Sequence, residues 1–105
     1  MTNTEILNRL KSLLAEVFGE RLHGVVLYGS EARGQAQPDS DLDVLVLLEG
    51  PVKLWDDLGA AIHATYPLVL ELGGRPIDIK PVDAAKYEAQ EWPLYRQAKR
   101  EGLVA

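Results

Sequence analysis

The sequence predicts a small α/β (α+β) domain in which a mixed β-sheet is flanked by helices. Three observations predict it. Apolar residues recur at helical spacing in two segments, from Ile6 to Phe18 and from Leu54 to Ile62, which gives each helix one stripe to bury. The short continuous apolar run Val25-Val26-Leu27-Tyr28 and the largely apolar stretch Leu42 to Leu48 read as buried strands, and Ile77 to Val82 as a further strand. Helices and strands interleave along the chain, the pattern of one sheet with helices packed on it.

Each element has its own signals. Thr2 or Asn3 can cap the first helix and Gly19 can stop it. The first strand ends at Tyr28-Gly29, and a polar stretch from Gln35 to Ser40, holding Pro38, reads as a loop. The second strand, Leu42 to Leu48, closes at Glu49-Gly50-Pro51. A helix is expected over 53–65, ended by Pro67, with Leu68-Val69-Leu70 as a further strand. Gly73-Gly74-Arg75-Pro76 is a turn into the strand Ile77 to Val82, Asp83 caps another helix, and Pro93 breaks it before a last turn to Arg100.

Composition narrows the function. At 105 residues the chain suits one domain, 1–105, with a real core and little spare surface. Eleven Lys and Arg against 16 Asp and Glu leave a net charge of −5, which opposes loose, phosphate-driven binding to nucleic acid. The absence of Cys excludes disulfides, thiolate metal sites and Cys nucleophiles. No apolar run approaches the roughly 20 residues that span a bilayer, and the N-terminus has no signal-peptide pattern, so the expected location is cytoplasmic, away from membranes.

The chemistry concentrates in Gly29-Ser30-Glu31-Ala32-Arg33-Gly34 and Ser40-Asp41-Leu42-Asp43. Residues i and i+2 of a strand share a face, so Asp41 and Asp43 project side by side into an otherwise apolar strand, where like charges repel. Asp78 lies between Ile77 and Ile79 in another apolar strand. If the strands are neighbours, the three carboxylates form an oxygen-donor cluster suited to Mg²⁺ or Mn²⁺, the ions that assist in-line phosphoryl and nucleotidyl transfer. Asp78 is then also placed to accept the proton of an attacking hydroxyl. Gly29 permits a tight turn and close backbone approach, leaving amide groups and the Ser30 hydroxyl for phosphate oxygens.

Gly29-Ser30 followed after ten residues by Asp41-Leu42-Asp43 resembles the signature of the DNA polymerase β-like nucleotidyltransferase superfamily. The fuller string from Tyr28 to Gly34, with Ser40 to Val44, is similar to its minimal nucleotidyltransferase (MNT) antitoxins. The resemblance implies the polymerase β-like nucleotidyltransferase fold, ATP as substrate, Mg²⁺ or Mn²⁺ on Asp41, Asp43 and Asp78, and nucleotide held by Gly29 and Ser30. Arg33 and Ser40 are further nucleotide-site candidates, Arg33 having a surface ion pair as its alternative. Glu31 departs from the basic or neutral residue of many relatives.

The resemblance further implies AMP transfer to a tyrosine of a helical HEPN-domain ribonuclease toxin, for which such proteins act as antitoxins. Chain length points the same way, since one helical segment follows Asp78 and leaves little material to enclose a small acceptor. A partner or a second copy of the chain is therefore expected to complete the system. The alternatives are an antitoxin acting by binding alone and an enzyme modifying a small molecule. Lys80 shares a strand face with Asp78 and can neutralise phosphate, with a satisfied structural lysine as the favoured alternative; Arg75 reads as solvated. His23 and His63 read as structural or surface residues. Trp55 and Trp92 read as core or interface packing and Tyr87 and Tyr95 as partial core; Trp92, Leu94 and Tyr95 can alternatively face a partner.

Overall fold

The computed structural model describes residues 1–29, 31–34 and 40–105. The first helix, α1 (Asn3–Phe18), starts with a capping box: the Glu5 amide donates to Thr2 Oγ1 at 3.1 Å, and Glu5 Oε1 accepts from the Thr2 amide. Its Ile6, Leu10 and Leu14 are fully buried. A 3₁₀ turn at Gly19–Arg21 feeds β1 (Leu22–Tyr28), and β2 (Leu42–Leu48) returns antiparallel to it. Then come α2 (Leu54–Glu71), β3 (Ile77–Asp83), α3 (Ala84–Glu88), α4 (Pro93–Glu101) and a short β4 (Leu103–Val104).

The strand order is β3-β2-β1-β4, with β2 and β3 parallel and the other neighbours antiparallel, so the sheet is mixed as expected. Alternation splits its side chains between two cores. Val25, Leu27, Val44 and Val46 pack against α1 and α2, whereas Val26, Tyr28, Leu45 and Val82 pack with α3 and α4. Asp83 caps α3, accepting from the amides of Ala85 at 2.9 Å and Lys86 at 3.3 Å.

Two expectations are corrected. Pro67 does not end the second helix, and Leu68-Val69-Leu70 is not a strand: α2 runs on to Glu71. Proline deprives the His63 carbonyl of its helical donor, but Ala61, Thr65 and Leu68 continue one buried face, and that burial outweighs the loss. The fourth strand is instead Leu103–Val104, too short and too exposed to show an apolar pattern. Trp55 and Trp92 are exposed, which rules out core packing for both, while Tyr87 is buried with its ring centroid 6.0 Å from that of Tyr95.

A partly buried ion pair joins the turn before β1 to the start of α2. Asp57 is only 6% exposed and takes a two-pronged contact from the Arg21 guanidinium, at 3.0 and 3.1 Å, plus the Lys53 amide at 3.0 Å. The Arg21 hydrogen bonds hold the Asp57 carboxyl below its ordinary range against the opposing effect of burial. A depressed folded-state value stabilises the fold above the ordinary carboxylate range, and that contribution is lost as pH falls through the folded-state value. Asp57→Asn should therefore cost about 1–3 kcal/mol at neutral pH, and the gap from wild type should narrow on acidification below about pH 4. Denaturant melts at neutral and acidic pH check both parts.

Candidate active site

Strand register brings the acidic residues together. Tyr28 lies opposite Asp43 across β1 and β2, and Asp43 lies beside Asp78 across β2 and β3. Asp43, Asp78 and Lys80 project on the sheet face that carries α3 and α4, at the end those helices leave open. Asp41 sits one residue before the strand, exposed and within electrostatic reach of Asp43.

The electrostatics follow from this placement. Burial pushes the Asp43 carboxyl above its ordinary range, with Asp78 and Asp41 adding in the same direction and Lys80 and Arg33 opposing. Lys80 Nζ lies 2.9 Å from Asp78 Oδ2, which raises the lysine above its ordinary value. Among the described residues no three Asp, Glu or His side chains are gathered closely enough to hold a metal ion; Asp78 is turned towards Lys80 instead. The donor set still fits a hard divalent cation. It is all oxygen, and its central carboxylate is penalised both by burial and by like charge, two costs that a cation beside it offsets.

Gly29 abuts this carboxylate. Its φ is +74°, a left-handed conformation that favours glycine, and a Cβ there would collide with Asp43 Oδ2. Ser30 lies outside the described residues, as does the loop from Gln35 to Asp39. Arg33 ion-pairs with Glu101 at 3.4 Å, its amide donates to the Gly29 carbonyl, and its charge reaches Asp43. Ser40 presents its carbonyl to Arg75.

That contact corrects another expectation: Arg75 is not solvated. Its Nε donates to the Ser40 carbonyl at 2.6 Å and its Nη2 to Glu31 at 2.8 Å, with both charged side chains largely buried. One guanidinium thus ties the turn after Gly29 to the start of the acidic strand. It also balances the acid at position 31, so Glu31 is spent on Arg75 rather than facing a phosphate. An unbalanced acid in a glycine-rich turn was a signal that a cation should face it; the chain alone did not say which one. A double-mutant cycle of Glu31→Gln and Arg75→Gln should return a coupling of about 1 kcal/mol in stability, read from thermal or denaturant unfolding.

Comparison with known proteins identifies the family and the fold. A family model described as a nucleotidyltransferase domain matches residues 5–104. The chain belongs to the nucleotidyltransferase domain family. A protein of Methanocaldococcus jannaschii described as a protein adenylyltransferase is 38% identical over 45 residues. That match spans 43% of this chain and about half, 46%, of the relative. A solved structure described as a minimal nucleotidyltransferase is 28% identical, covering 97% of this chain and 93% of its own, with a TM-score of 0.57. Two more distant structures share the nucleotidyltransferase fold. One is a nucleotidyltransferase from Sulfolobus solfataricus, 20% identical over 98% of this chain and 81% of its own, at a TM-score of 0.63. The other is a toxin–antitoxin crystallised with AMP-PNP, 21% identical over 92% and 69%, also at 0.63. Among the described residues no helix is long and apolar enough to cross a membrane.

Proposed function

We propose that the protein is a nucleotidyltransferase that moves AMP from ATP to a tyrosine hydroxyl of a partner HEPN-type toxin, and so acts as that toxin's antitoxin. The observation that carries the reading is the lateral Asp43–Asp78 pair with Gly29 pressed against the Asp43 carboxylate. The adenylyltransferase description of one relative and the AMP-PNP and toxin of a fold neighbour support the nucleotide and the partner. The HEPN class and the tyrosine come from the resemblance of the Gly29-Ser30…Asp41-Leu42-Asp43 signature.

In this reading Asp41, Asp43 and Asp78 hold Mg²⁺ or Mn²⁺, which supplies neutralising charge for the phosphate oxygens when bound. Gly29 lets the backbone approach the triphosphate, and Ser30, Arg33 and Ser40 contribute polar groups around it. Asp78, oriented by Lys80, takes the proton from the acceptor hydroxyl as its oxygen attacks the α-phosphorus. The bond to the bridging oxygen breaks and pyrophosphate leaves. Trp92, exposed beside Leu94 and Tyr95, offers an apolar contact for the acceptor protein.

The test is co-expression with the neighbouring gene's product and intact-mass measurement of both chains after incubation with ATP and Mg²⁺. A gain of one or more AMP on the partner is expected. A tight complex with no gain overturns the enzymatic part in favour of inhibition by binding, and no complex overturns the partner.

A further inference from the structure

Among the described residues, the outer face of α2 is left exposed. Trp55 is 79% exposed, Ile62 52%, Tyr66 57% and Leu70 60%. With the exposed Gly59 they form a stripe at spacings of four, three, four and four residues, one continuous helix face about 22 Å long. From Leu58 to Leu70 the helix carries no Asp, Glu, Lys or Arg on any side. A helix that is apolar all round is normally buried all round. Here only one side is, through Ala61, Thr65 and Leu68.

We infer that this face pairs with the same face of a second copy, the two α2 helices running antiparallel about a two-fold axis beside Ile62. The stripe itself selects that occupant, because it is self-complementary under such an axis. Reversing it sets Trp55 against Leu70 of the second copy, Gly59 against Tyr66, and Ile62 beside the axis. Gly59, Ile62, His63, Tyr66 and Pro67 line a groove of about 450 Å³. The missing side chain at Gly59 leaves a recess opposite the bulky Tyr66 ring, twice over by symmetry. Small against large is the arrangement that lets two helices approach closely.

Area supports the same occupant. The four large exposed apolar side chains of the stripe present on the order of 500 Å² per copy, against about 800 Å² per partner in a specific interface. Contacts flanking the stripe supply the remainder. Because α2 covers the sheet face opposite Asp43 and Asp78, pairing leaves both acidic sites open. The inference stands independently of the reaction proposed above.

The test is sedimentation of the full chain, with and without single substitutions, over a concentration series reaching about 200 μM. A dimer of twice 11.6 kDa with a micromolar Kd is expected. Ile62→Glu should weaken it at least 50-fold, by placing charges together at the axis. Gly59→Leu separates assembly from folding: an added Cβ meets nothing within 4 Å, and leucine favours the helix, so Tm should rise while the dimer is lost. The chain has no cysteine, so Ile62→Cys should cross-link with itself on oxidation, whereas Ala85→Cys on α3 should not. A monomer throughout the series overturns the inference, also where the α2 variants instead abolish binding of a separate protein. A dimer unmoved by Ile62→Glu and Gly59→Leu overturns it too, because another face then holds the copies together.

Discussion

Replacing Asp41 and Asp43 together by Asn should abolish nucleotide transfer, by at least about 10³-fold, while leaving the fold intact. Both changes preserve shape and remove charge. Asp43 is the carboxylate that burial and Asp78 jointly push above its ordinary range, so in the absence of a cation its ionised form costs stability near neutral pH. A carboxyl with a raised folded-state value destabilises the fold where it is ionised, and that penalty is relieved as pH falls through the raised value. The double variant should therefore melt higher than wild type in metal-free buffer, by about 1 kcal/mol, and added Mg²⁺ should stabilise wild type alone. Loss of activity with gain of stability separates a functional site from a structural one. Thermal melts with and without Mg²⁺, beside a transfer assay, read both quantities.

Asp78→Asn should lower turnover by about 10²–10⁴-fold with a much smaller effect on nucleotide affinity. Asp78 is the more exposed of the lateral pair and holds Lys80 at 2.9 Å. A base serves the transition state in which the acceptor proton moves, so its loss should fall on kcat rather than on nucleotide affinity. If the variant keeps wild-type kcat, the Asp78–Lys80 pair is a surface ion pair and another group takes the proton.

Much of this arrangement was legible in the chain because it rests on strand periodicity. Asp43 and Asp78 could be placed on strands from their apolar neighbours, and parallel pairing of β2 with β3 sets them side by side. What the chain hid was long-range. Pro67 looked like a helix end because local propensity counts the lost amide but not the burial of Leu68 against α1 and the sheet. Arg75 looked solvated because its partners, Glu31 and the Ser40 carbonyl, lie 44 and 35 residues away. Leu103–Val104 offers two residues, too few for any alternation to register. Trp55 fits core or interface packing equally from the sequence, and among the described residues its side chain stays largely exposed.

The central claim is that Gly29, Asp41, Asp43 and Asp78 form a cation-dependent nucleotide site. Calorimetric titration of AMP-PNP into the protein, with Mg²⁺ and then with EDTA, tests it without requiring an acceptor. Binding is expected with Mg²⁺, absent with EDTA, and absent in the variant carrying Asp41→Asn and Asp43→Asn. Equal affinity in EDTA, or unchanged binding by that variant in Mg²⁺, would contradict it.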